Sequence, residues 1–201
     1  WYIGKIGISE LAGVAYIFPI FMLTSMLSNG AFGGAISGAT ARAFGSKNLH
    51  LAECIFRSAI LISLLGALLM MLLFFSISER FFIFMKIDQE VSSAALSYGN
   101  ILLSGIFLIW LFNIIISITR GSGNTIMPAF SWLIVLSSHV LLASFNFNYL
   151  DGNFILKNNI VFLSENYLFN SLEWSAISLL SGYFFGLIFI LGFYFFGSHS
   201  Y

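Results

Sequence analysis

The sequence predicts an all-α, polytopic integral membrane protein with five transmembrane helices. Three observations carry this. Of 201 residues, 59% are hydrophobic and only 8% are charged, whereas a soluble domain usually has about 25% charged residues. The few charges divide the chain into five charge-free stretches, 11–41, 58–78, 91–119, 121–150 and 174–201. Each exceeds the roughly 20 residues that an α-helix needs to cross a hydrocarbon core of about 30 Å. Backbone amides in lipid must bond within their own segment, so these stretches are helices. Barrel strands would be shorter and would alternate with polar residues, which these runs do not. The expected spans are approximately 11–41, 50–78, 93–119, 126–148 and 174–197.

The first span contains Pro19 and a run of small residues from Gly30 to Ala39. Small residues let helix backbones approach closely, and they also fit a bendable helix beside a transport cavity. Asn29 in this region either lines such a cavity or, as favoured here, bonds a neighbouring backbone. The turn that follows, Gly45-Ser46-Lys47-Asn48, carries breaker residues. His50 is expected at headgroup level. Glu53 and Arg57 are four apart on the next helix, a favourable structural pair. Cys54, the single cysteine, excludes an internal disulfide and CxxC chemistry and reads as a small apolar filler.

Residues 78–93 mix aromatic residues with Glu79, Arg80, Lys86, Asp88 and Glu90. This stretch is too short and too charged to span, and predicts an interfacial helix or re-entry turn. The third span ends at Arg120, the only charged residue between Glu90 and Asp151. Arg120-Gly121-Ser122-Gly123-Asn124-Thr125-Ile126-Met127-Pro128 is a polar, glycine-rich turn between two apolar runs. Asn113 lies seven residues before Arg120, and His139 lies in the middle of the next span. The asparagine-rich segment 151–173 reads as a surface loop, with Trp174 at the membrane interface.

Several chemistries find no support. Zero net charge argues against a nucleic-acid footprint. HExxH, GxSxG and Walker lysine motifs are lacking, and the eight acidic residues read as loop residues. Ser138 adjoins His139, but helix neighbours point about 100° apart, so they form no nucleophile–base pair. An enzyme is disfavoured, and no metal site or cofactor is expected. Basic residues leave orientation undecided, at four on each side; the acids place only Glu53 on the Arg120 side. That imbalance hints that the Arg120 side is cytoplasmic.

Four features, in order, resemble the multidrug and toxic compound extrusion (MATE) family of secondary transporters. They are Gly4-Lys5-Ile6-Gly7 leading to a Pro19-containing span; Ala41-Arg42-Ala43-Phe44-Gly45-Ser46-Lys47; Ile87-Asp88-Gln89-Glu90-Val91 followed by Ala94-Ala95 and Tyr98; and Arg120-Gly121-Ser122-Gly123-Asn124-Thr125 with Pro128. The resemblance reaches to about Asn148. It implies that the chain, which opens on Trp1, is a fragment covering helices two to six of a twelve-helix, two-lobe transporter, that is, part of the N-terminal lobe. The family's fifth helix often has an asparagine sixteen positions after the Gly of Gly-Asn-Thr and an aspartate four further on. Those positions are His139 and Ala143 here, which puts family-type ion coordination in doubt.

The resemblance implies an antiporter that expels organic, often cationic, solutes in exchange for H+ or Na+. His139, Asn113 and Asn29 are the candidate proton or substrate residues, because an ionisable group inside a span is a functional candidate and histidine titrates near physiological pH. Asn113, one helix earlier, is a candidate to share a cavity with His139. Pro19, Gly30, Gly45, Arg120, Gly121, Gly123, Asn124, Thr125 and Pro128 are the structural motif. The expected setting is the inner membrane of a bacterium, as a monomer when full length. A lipid-linked oligosaccharide flippase of the same superfamily is the alternative. A non-transporting scaffold or enzyme subunit is the alternative from another class.

Overall fold

The computed structural model describes residues 2–150 and 171–196. Of the surface loop expected at 151–173, residues 151–170 lie outside them, and 171–173 are helical rather than loop. A short helix α1 (Tyr2–Ile6) leads into α2 (Ile8–Ser25), a π-helical segment (Met26–Phe32) and α3 (Gly33–Gly45). Then come α4 (Leu49–Phe84), α5 (Gln89–Ser104), α6 (Ile106–Gly121), α7 (Ile126–Leu150) and α8 (Ser171–Phe196). Among the described residues there is no strand. Four continuous helical stretches are long and apolar enough to cross a membrane: Ile8–Gly45, Leu49–Phe84, Ile126–Ser144 and Leu172–Tyr194. The pair α5 and α6, bent by 48° at its break, is a fifth if taken as one broken span.

Three differences from the expected spans have physical causes. The first crossing is a 38-residue run that continues through Pro19. The proline lacks the amide that would bond the carbonyl one turn back, and a π-helical segment follows a few residues later. Second, α4 does not stop where charges appear. Its 36 residues run about 54 Å at 1.5 Å per residue, well beyond a hydrocarbon core of about 30 Å. Glu79 and Arg80 therefore ride on the overhanging end of α4, and the interfacial element expected at 78–93 is the end of α4, a turn and the start of α5. The turn comes at Lys86, whose φ is 51°. Third, the 93–119 span is broken at Gly105 rather than continuous.

α6 is the core of the bundle. Ile109, Trp110, Phe112, Asn113, Ile114, Ile116 and Ser117 on it are buried. α3 and α4 pack on α6, α2 packs on α5, and α7 packs along α8. Phe112, Trp132 and Tyr183 form a three-ring edge-to-face cluster with centroids 5.1, 5.4 and 5.9 Å apart, which joins α6, α7 and α8. Such pairs favour this geometry because ring edges are positive and faces negative. α4 shows the membrane logic. Ala59, Ser63 and Ala67 face inward, while Leu61, Leu65, Leu69 and Leu72 are more than half exposed. Water would penalise that leucine stripe; lipid does not.

Two readings of the sequence are corrected here. Cys54 is exposed rather than filling a core. The acids do not all sit in loops: Glu10, Glu90 and Glu173 occupy the first turns of α2, α5 and α8, where unpaired amides favour negative charge. The helices begin before their charge-free windows, and that is why the windows misplaced these residues. The Glu53–Arg57 pair does form, at 2.5 Å between exposed side chains on α4.

Candidate functional site

Asn113, Ser117 and Arg120 recur at helical spacing on α6, so they share one face. That face meets the π-helical segment. Asn113, only 1% exposed, donates from Nδ2 to Ser28 Oγ at 2.8 Å. Its Oδ1 is buried and has no partner. Ser28 passes its own proton to the Ser25 carbonyl at 3.3 Å. One turn on, the Arg120 guanidinium donates to Asn29 Oδ1 at 2.8 Å and to Ser117 Oγ at 3.0 Å. Ser117 donates to the Asn113 carbonyl at 2.8 Å. Two consecutive π-segment side chains are thus clasped by one face of α6. Asn29 binds the Arg120 side chain, not a neighbouring backbone as the sequence had suggested.

The turn after Arg120 assigns a structural job to each motif residue. A Cβ on Gly121 would lie 2.5 Å from the Ser37 carbonyl and 2.7 Å from Thr40 Cβ, so only glycine lets α6 end this close to α3. Gly123 has φ 96°, a left-handed backbone that side chains disfavour. Asn124 Oδ1 accepts from the amides of Ile126 and Met127 at 3.2 and 3.1 Å, capping two orphan donors of α7. Pro128 lies in the first turn of α7, where no amide is needed. The earlier turn behaves otherwise. Gly45 closes α3 as a helical residue, and the left-handed position is Lys47, with φ 55°. Gly30 lies in the π-helical segment with no neighbour where a Cβ would stand.

His139 lies on α7, half-buried against α8. Its Nδ1 is 3.0 Å from Ser178 Oγ. Ser178 donates its one hydroxyl proton to the Ser175 carbonyl at 2.8 Å, so it accepts from His139. That arrangement puts the neutral ring's proton on Nδ1 and leaves the Nε2 lone pair open. The geometry suits a proton acceptor, not a histidine that activates a serine, because the serine proton is committed elsewhere. Asn113 and His139 do not share one site. They bond different helices, through Ser28 and Ser178, and neither lines either of the two cavities below.

One cavity, of about 830 Å³, lies beside the Arg120–Pro128 turn, walled by the ends of α3, α6 and α8 and the starts of α4 and α7. Thr125 of the motif lines it. The second, of about 530 Å³, lies at the opposite end and is lined by Ser9, Glu10, Glu90, Ser93 and Ser97. There Ser9 donates to Glu90 at 3.3 Å, and Ser97 donates to Glu173. Among the described residues no three His, Cys, Asp or Glu side chains are placed to hold a metal ion. Sequence reasoning missed Ser28, Ser178, Ser97 and Thr40. Their only signal is a hydroxyl inside an apolar run, which many packing positions share.

Apolar crossings joined through buried polar side chains define a polytopic integral membrane protein. Its family is shown by comparison: the MatE family model matches residues 1–145, and the chain belongs to that family. Among curated proteins none matches. The fold is similar to a MATE crystal structure in the bent conformation, at TM-score 0.80 and 20% identity over 99% of this chain. It is similar to the inward-facing form of a multidrug resistance MATE family transporter of the MOP superfamily, at TM-score 0.80 and 21% identity over 99% of this chain. It is also similar to a MOP superfamily transporter from Pyrococcus furiosus, described by a binding pocket of reverse polarity that suggests a different function, at TM-score 0.78 and 20% identity over 100% of this chain. The chain spans about 40% of the length of the first two and about 40% of the third. Family membership places it with transporters rather than enzymes.

Proposed function

We propose that this chain is part of a secondary active exporter that expels organic, often cationic, solutes in exchange for H+ or Na+ by alternating access of two lobes. Membership of the MatE family carries the reading. The mid-span imidazole adds to it. Protonation of His139 at Nε2 changes the charge inside the lobe, and a charge change that differs between two facing states shifts their balance. The π-helical segment and the Arg120 clasp give that lobe an element that can repack.

The flippase reading is the second. The present chain favours the exporter: among the described residues, Arg120 stands at the end of its helix and no Lys or Arg lies deep in a span. The proposed setting is the inner membrane of a bacterium, with the full-length protein as a monomer. Vesicles containing the full-length protein separate the readings. Gradient-driven accumulation of an organic cation supports the exporter, movement of lipid-linked sugar supports the flippase, and neither supports a scaffold.

A further inference from the structure

We propose that one face of α5 is a hydrated path for the exported solute, and that it favours protonated amines, which carry N–H donors, over quaternary ammonium ions. The solute is that of the exporter reading above; the hydration of the face does not rest on that reading.

Asn100 is the starting point. The charge-free stretch 91–119 is centred on Gly105. A hydrocarbon core of about 20 helical residues centred there takes in Asn100 and Ser104. Of the asparagines inside the described crossings, Asn29 and Asn113 are bonded to other helices. Asn100 is exposed and bonds no described residue. Lipid offers a carboxamide neither donor nor acceptor, so this side chain needs water or a polar ligand beside it.

Asn100 does not stand alone. Ser93, Ser97, Asn100 and Ser104 recur at i, i+4, i+7 and i+11, on one face of α5. Three are exposed and Ser97 is half-buried. At its Ser93 end this face runs into the cavity of about 530 Å³, which Ser93 and Ser97 line together with Glu10 and Glu90. Past Ser104 the span breaks at Gly105, and discontinuous helices near mid-bilayer are where secondary transporters hold their solutes. The face is therefore continuous from a polar mouth to the break, unlike the leucine face that α4 turns outward.

The hydroxyl protons fix the chemistry. Ser93 donates to the Glu90 carbonyl at 2.8 Å, Ser104 to the Ile101 carbonyl at 2.9 Å, and Ser97 to the Glu173 carboxylate. At the mouth Ser9 donates to the Glu90 carboxylate at 3.3 Å. With these protons already directed elsewhere, the hydroxyls present lone pairs to an occupant. The Asn100 carboxamide oxygen adds an acceptor, and Glu10 and Glu90 add negative charge, with no Lys or Arg lining the mouth. Acceptors and negative charge suit a cation that donates N–H. A quaternary ammonium has no such proton and is held instead by aromatic faces, and no aromatic side chain lines this cavity.

The test uses the full-length protein in liposomes with Asn100→Cys as its sole cysteine. Leu65→Cys, on the exposed leucine face of α4, is the control. The membrane-impermeant reagent is trimethylammonioethyl methanethiosulfonate. Asn100→Cys should react at least about ten-fold faster than the control, because the reagent needs water to reach the thiol. Added 1-naphthylmethylammonium should protect it, and the N-trimethyl analogue should protect it less. Asn100→Leu should raise KM for export of 1-naphthylmethylammonium about ten-fold, the scale of one hydrogen bond to a charged group. Asn100→Gln, which keeps the acceptor, should recover most of that. An Asn100→Cys thiol no more reactive than the control overturns the proposal and gives the face to lipid or to another helix. Equal protection by the two cations, or protection by neither, overturns it while export by the wild type leaves the exporter reading standing. A wild type that moves neither cation removes the exporter reading, and the labelling rate still decides whether the face is hydrated.

Discussion

His139, Arg120 and Gly123 show how much single residues decide. His139 holds its Nδ1 proton against Ser178, which leaves Nε2 to gain and lose a proton. If Nε2 is the carrier, His139→Gln in the full-length protein should flatten the dependence of efflux on pH while the protein still inserts. An efflux profile with unchanged slope and rate would remove His139 from the mechanism. Arg120→Ala removes the hydrogen bonds to Asn29 and Ser117, and it should cost about 0.5–1.5 kcal/mol, read as a lower melting midpoint in detergent. Arg120→Lys should recover only part, because a lysine cannot reproduce the planar fork. Gly123→Val places a branched side chain at φ 96° and should cost about 1–3 kcal/mol; Gly123→Asn should cost clearly less, since asparagine tolerates left-handed backbone. At this scale the sequence was half legible. Arg120, Gly123 and Pro128 announced themselves by type and spacing. Ser28 and Ser178 did not, because each matters only through a partner 85 or 39 residues away.

The π-helical segment Met26–Phe32 and the end of α6 act as one device. The segment's backbone hydrogen bonds span five residues where an α-helix spans four, and both of its clasped side chains, Ser28 and Asn29, meet α6. Deleting Gly30 should return the segment to α-helical register and turn one of the two away. The expected result is loss of one hydrogen bond, with transport slowed at least about ten-fold if the segment moves during the cycle. Solute uptake together with hydrogen exchange of residues 26–32 reads both effects; normal uptake with lost protection would show that the clasp is structural only. Elements were legible where lipid imposed them. The charge-free windows located the apolar crossings because bilayer thickness sets their length. They misjudged α4, whose backbone has no reason to stop at Glu79, and they missed the break at Gly105, since apolar composition is the same on both sides of a bend.

For the whole molecule, the decisive contacts are those that hold the ends of the bundle. At one end Asn124 and Tyr194 line a cavity between the helix ends, and Arg120 ties α6 to the π-helical segment. At the other, Glu90 and Glu173 receive hydroxyls from Ser9 and Ser97, tying α2 and α8 to α5. Fold class and family were legible from hydropathy and four short motifs. The grouping of polar residues was not: Asn113 pairs with Ser28 and His139 with Ser178, and helix order in sequence does not say which faces meet. The chain aligns with about 40% of a solved MATE transporter, so the proposed coupling is tested on the full-length protein. The most direct test reconstitutes that protein in liposomes and adds an organic cation to one side with no ion gradient imposed. The account predicts that H+ or Na+ moves in the opposite direction, in proportion to the cation carried. Cation movement with no opposing ion flux, or no movement at all, would contradict it.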